Sequence, residues 1–208
     1  MTRSSGRVKI LGITGNSGAG KSAVSGICAE LGAYVLNADT INHDNMTAGR
    51  PAYYEICETF GTEILDEDQA VDRRRLGGKV FADKALLARL VDITHKHVVA
   101  EILRRTAQVA ASPGEYGFVV IDAPLLVEAG LHTHCDEVWL VTADDETRRS
   151  RIRARDNIGD DQITNRFASA TPEHELKRYA HEVIDNNYSG IKELRNHISK
   201  LIAKRGIL

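Results

Sequence analysis

At 208 residues, with 42% apolar and 27% charged residues, the chain can bury one sizeable core and lies far from the composition of disordered segments. A net charge of -2 supplies no global field for polyanions, which argues against a general nucleic-acid binder. The three cysteines, Cys28, Cys57 and Cys135, form no C-x-x-C pair, and no segment nears the roughly 20 apolar residues of a membrane span, so a cytoplasmic protein with no membrane partner is expected.

The first apolar stretch is only about five residues long and runs into a glycine loop, too short for a secretory signal. Val8–Thr14 is rich in branched residues and bounded by glycine, which predicts a buried strand. From Lys21, the apolar residues Val24, Ile27, Cys28 and Leu31 fall at helical spacing, with Gly32 placed to end the helix. AYVLNAD, 33–39, predicts a second strand ending in a carboxylate, and Pro51 opens a helix that Gly61 closes. The polar run 66–75 predicts a surface turn, and 84–111 one or two helices closed by Ser112, Pro113 and Gly114. FVVID (118–122) and VWLVTA (138–143) are continuous apolar strands of the kind that parallel sheets cover on both faces. Residues 144–181 predict basic helices, 183–185 a last strand, and Ile191, Leu194, Ile198, Leu201 and Ile202 the inner face of a closing helix. The alternation predicts a doubly wound α/β fold.

Gly15-Asn16-Ser17-Gly18-Ala19-Gly20-Lys21-Ser22 fits G-x-x-x-x-G-K-[ST] between a predicted strand and a predicted helix, the setting in which backbone N–H groups cradle phosphates. Lys21 is expected to reach the β and γ phosphates of ATP, and the Ser22 hydroxyl to ligate Mg²⁺. No N-K-x-D run argues for guanine specificity. Arg148, Arg149, Arg151, Arg153 and Arg155, with Arg166 beyond, suit a lid that neutralises the transferring phosphoryl group. Two strand-end carboxylates, Asp39 and Asp122, are candidates for orienting the acceptor hydroxyl or for supporting Mg²⁺ directly or through water. His132, His134 and Cys135 have no fourth ligand at a metal-binding spacing, and His95 and His97 point to different helix faces.

These residues resemble the dephospho-CoA kinase family. Asn37-Ala38-Asp39 stands where the family has Asp-Ala-Asp, and Asp72-Arg73, Leu90 and His95 follow in order. Asp122-Ala123-Pro124-Leu125-Leu126-Val127-Glu128, Arg151 with Arg155-Asp156, and Val183-Ile184-Asp185-Asn186-Asn187 extend the similarity over about 8–201. The resemblance implies a three-layer P-loop kinase fold with a parallel sheet: a nucleotide-binding core near 8–40, 115–145 and 182–208, a helical substrate region near 41–114 and a lid near 146–181. It implies transfer from ATP to the 3′-hydroxyl of dephospho-CoA, with Gly18–Ala23 and Arg155 on the nucleotide, Asp39 as base and Arg151 as transition-state cation. Asp39, Arg73, His95, Pro124, Leu125, Leu126 and Glu128 would frame the acceptor. Asn37, Lys96, Ala170 and His181 depart from the family's pattern, which expects Asp, Pro, Gln and Asp there. A nucleoside or nucleotide kinase of the same fold and a nucleotide sensor are the alternatives. The Pro-Leu-Leu-x-Glu run and the closing Asn-Asn segment argue against the first, and Asp39 with Arg151 against the second.

Overall fold

The computed structural model describes residues 7–112, 114–188 and 190–208, so residues 1–6 and Pro113, expected to help close a helix, lie outside them. Strands β1 (Lys9–Thr14), β2 (Ala33–Asn37), β3 (Phe118–Asp122), β4 (Glu137–Thr142) and β5 (Glu182–Asp185) form a parallel sheet in the order β2-β3-β1-β4-β5. Central β1 pairs Ile13 with Asp122 of β3 on one side and with Trp139 of β4 on the other. The first turn after β1 therefore opens at the carboxyl edge between its neighbours, where the strand order reverses and α/β sheets bind ligands.

Two compact units divide the chain: residues 1–36 with 106–208, and residues 37–105. In the first, α1 (Lys21–Glu30) and α9 (Ile191–Arg205) join the sheet in one core containing Leu11, Ile13, Val24, Ile27, Trp139, Ile184, Leu194 and Ile198. Ile191, expected on the inner face of α9, is 60% exposed: it is the first helical residue, and the apolar stripe begins one turn later at Leu194. The basic segment divides into α6 (Asp145–Asp156), α7 (Asp160–Ala168) and α8 (Glu173–Leu176). Asp144 caps α6 by accepting from Thr147 N, and Asn157, in the left-handed region, ends it.

The second unit holds α2 (Ala38–Asn45), α3 (Pro51–Phe60), α4 (Arg73–Val80) and most of α5 (Lys84–Ala111), a single helix. The expected surface turn 66–75 is shorter than the sequence suggests. Asp66 closes it by accepting from the N–H groups of Asp68 and Ala70, and Asp72 then caps α4 by accepting from those of Arg74 and Arg75. Tyr53, Ile56, Phe60, Ile64, Leu76, Val80 and Ile93 form this unit's own core. Phe60 is 1% exposed, so Phe60→Ala is expected to cost about 3–5 kcal/mol, read as a lower urea midpoint at unchanged slope.

Candidate active site

The loop after β1 owes its shape to glycines at positive φ. Gly15 has φ 145°, and a Cβ there would stand 2.2 Å from the Val141 carbonyl; Gly20 has φ 97°, and a Cβ would stand 2.1 Å from Asn186 Nδ2. Any larger residue would push the loop off the structure that holds it. Lys21 begins α1 and folds back over the loop, its Nζ donating to the Gly15 carbonyl at 2.7 Å. That places an ammonium across the concave face, where the helix N-terminus already favours an anion. The Ser22 side chain is in the first turn of α1, in an exposed residue. Asp122 ends β3 with its carboxylate buried at 3% exposure, accepting from Ser25 Oγ at 2.8 Å. Ser22 and Asp122 are hard oxygen donors, which suits a Mg²⁺ that keeps part of its water. Burial, with the Asp122 charge second, pushes the Cys28 thiol up to about 12, so this cysteine stays protonated in the core.

The loop's carbonyls are held from outside. Arg148 Nε donates to Ser17 O at 3.0 Å, and Arg151 Nη1 to Gly18 O and Ala19 O at 3.3 and 3.2 Å. Arg151 Nη2 also donates to Asn186 O at 2.9 Å, and Asn186 Nδ2 to Ala19 O at 2.8 Å. Arg151, expected to serve the transferring phosphoryl group, is bound in this structure to backbone carbonyls of the loop and of Asn186. The other α6 arginines differ. Arg155 pairs with Asp156, which Arg166 also binds, and these two guanidiniums hold the Asp156 carboxyl far below the usual carboxylate range, Arg155 contributing most.

In the segment after β3, Thr14 Oγ1 donates to Pro124 O at 3.1 Å. Leu125 is 46% exposed and Glu128 accepts from the Thr171 hydroxyl, whereas Leu126 is fully buried under β1, where a Cβ on Gly12 would meet it at 2.7 Å. Leu126 therefore anchors the segment from within the core, while Leu125 and Glu128 of the same run reach the surface or the Thr171 hydroxyl.

Within the second unit, Asn37 ends β2 and its Oδ1 accepts from Thr40 N at 2.9 Å, so the strand expected through residue 39 stops there and α2 begins. Asp39 accordingly lies in the first turn of a helix, exposed, not at a strand end. It lines a cavity of about 450 Å³ together with Asn42, Arg73 and an apolar wall that includes Met46, Leu76, Val80 and Leu90. Arg73 Nη2 lies 2.5 Å from His43 Nδ1. Two of the expected acceptor residues, Asp39 and Arg73, thus share one cavity; His95 is half-buried on α5 and does not line it.

Three of the four departures have structural partners. Asn37 caps α2 as an aspartate would. Lys96, on α5 where a proline would break the ladder, reaches both Glu55 carboxylate oxygens at 2.7 Å. His181 Nδ1 accepts from Val138 N at 3.1 Å, using an imidazole nitrogen as the acceptor a carboxylate would supply. Nothing in the structure explains Ala170.

The sequence names Arg148 only among the lid arginines and Asn186 only within the run that carries the resemblance, and for neither does it foresee contact with the loop. Their partners are 131 and 167 positions away along the chain, and no local pattern announces such pairs.

A family model described as dephospho-CoA kinase matches residues 9–193. A dephospho-CoA kinase of Carboxydothermus hydrogenoformans is 37% identical over 195 residues, 94% of this chain and 93% of that protein. Among solved structures, a Thermus thermophilus protein superposes with a TM-score of 0.76 at 29% identity, covering 96% of this chain and 98% of the other. A Campylobacter jejuni dephospho-CoA kinase superposes with a TM-score of 0.62 at 22% identity, covering 94% and 96%, and shares the fold. With the phosphate loop seated at the sheet's switch point and similarity running over nearly the whole length, the chain belongs to the dephospho-CoA kinase family.

Proposed function

We propose that the protein transfers the γ-phosphate of ATP to the 3′-hydroxyl of the ribose of dephospho-CoA, giving coenzyme A and ADP, the last step of CoA synthesis. The observation that carries this reading is the cavity in the 37–105 unit. Its acid and arginine beside an apolar wall suit an acceptor with a hydroxyl, phosphates and a long weakly polar arm. Asp39 takes the proton of the attacking 3′-hydroxyl, Arg73 binds acceptor phosphate, and Met46, Leu76, Val80 and Leu90 receive the arm. Gly15–Ala23 hold the ATP phosphates, and Lys21 follows the β and γ oxygens as the bond to the leaving ADP breaks. Ser22 and Asp122 would hold Mg²⁺, which when bound offsets charge on the β and γ phosphates. Residues 146–181 serve as the lid that excludes water, and free thiols at Cys28, Cys57 and Cys135 fit a reducing cytosol.

Purified protein with Mg-ATP should release ADP when dephospho-CoA is added, and not with nucleosides, nucleoside monophosphates or no acceptor. Release indifferent to dephospho-CoA would remove the proposed acceptor.

A further inference from the structure

A phosphate loop works only if its N–H groups face inward, and a loop of small residues has little side-chain packing to keep them there. In a trans peptide the carbonyl of one residue and the N–H of the next point in opposite directions. Fixing a carbonyl on the outside therefore aims the following N–H at the inside. Arg148 fixes Ser17 O, which aims Gly18 N–H; Asn186 and Arg151 fix Ala19 O, which aims Gly20 N–H. The Ala19 N–H between them closes the loop on Asn16 O at 3.1 Å. All these donors come from α6 and from the turn after β5, within one compact unit.

We propose that Asn186, Arg148 and Arg151 are positioning residues that brace the outer face of the phosphate loop and hold the Gly18 and Gly20 N–H groups ready for ATP phosphate.

Asn186 is the centre of this brace. It is 3% exposed, its own N–H donates to Thr142 O at 2.8 Å, and its carbonyl accepts from Arg151, so its backbone is held from both sides while Nδ2 meets Ala19 O. The 2.1 Å approach of that nitrogen to a Cβ built on Gly20 shows that glycine and asparagine fit as a pair. Arg148 is 9% exposed and is fixed independently, with Phe167 of α7 stacked 4.0 Å from its guanidinium and Asp145 bound to Nη1 at 3.0 Å. The nucleotide then meets donors that need no reordering, and the interaction that stabilises developing charge is set before chemistry begins.

The inference rests on the reading of Gly15–Ser22 as the ATP phosphate site. Asn186→Asp preserves shape but points a carboxylate oxygen at Ala19 O. It is expected to weaken ATP binding about tenfold and to lower kcat/KM for ATP by at least as much. The KM for dephospho-CoA should change less than about twofold. Amide exchange at Gly18 and Gly20 should accelerate while amides of β3 keep their protection. Arg148→Met, which keeps an apolar stem, should give the same pattern, and it carries the test if the aspartate variant does not fold. A parallel rise in both KM values with general loss of protection, or unchanged ATP binding in both variants, overturns the brace. Lys21→Ala is the control: unchanged ATP binding there overturns the phosphate-site reading and the brace with it, whereas loss there and none in the other two overturns the brace alone.

Discussion

Lys21→Ala is expected to weaken ATP binding and to lower kcat by a factor on the order of 10²–10³, the loss seen when one preorganised donor to developing charge is removed. The ammonium rests on the Gly15 carbonyl in this structure, a neutral acceptor that it can exchange for phosphate oxygens. That exchange replaces a bond to a neutral carbonyl with bonds to anionic oxygens, and it strengthens further as charge builds on the leaving β-phosphate. Binding and turnover therefore fall together. Equilibrium ATP binding and single-turnover rates separate the two losses, and a variant with normal turnover would contradict the assigned role of Lys21.

Asp39→Asn should behave differently. The side chain keeps its shape in the first turn of α2, while the group able to take a proton is gone. Turnover is expected to drop on the order of 10²–10⁴-fold, the range for loss of a general base, with ATP affinity changed less than about twofold. Removing a negative charge near a helix N-terminus costs about 0.3–1 kcal/mol, so Tm should move little and unfolding will not mimic a catalytic defect. Equal losses in ATP binding and turnover would take Asp39 out of the role of base. The contrast between the two variants is informative because the residues lie in different units: Lys21 on the loop after β1, Asp39 in the cavity proposed for the acceptor.

The parts of the fold legible in the sequence are those set by local physics. A glycine loop between an apolar strand and an amphipathic helix leaves few alternatives, and β1, α1, β3 and α3 form close to where their patterns place them. The errors lie where one side chain's hydrogen bond decides a boundary. Asn37 turns β2 into α2 two residues before the expected end, and Asp72 starts α4 inside a run whose charge suggested only a turn. Both are capping residues, and a reading that gave caps the weight of periodicity would have found them. The site divides in the same way. Lys21 and Ser22 follow from the motif, Asp39 from its place at the end of the expected strand as well as from the resemblance, and Arg73 from the resemblance alone. The backbone contacts of Arg151 and the burial of Leu126 depend on packing between distant segments, which neither spacing nor family resemblance reports.

Identifying the product tests the central claim most directly. The protein is incubated with ATP labelled in the γ-phosphate and with dephospho-CoA, and the labelled phosphate is located by mass spectrometry and phosphorus NMR. The account predicts one new phosphomonoester, on the 3′-oxygen of the ribose, in amounts equal to ADP. Label in free phosphate, or on any other oxygen of the acceptor, would contradict it.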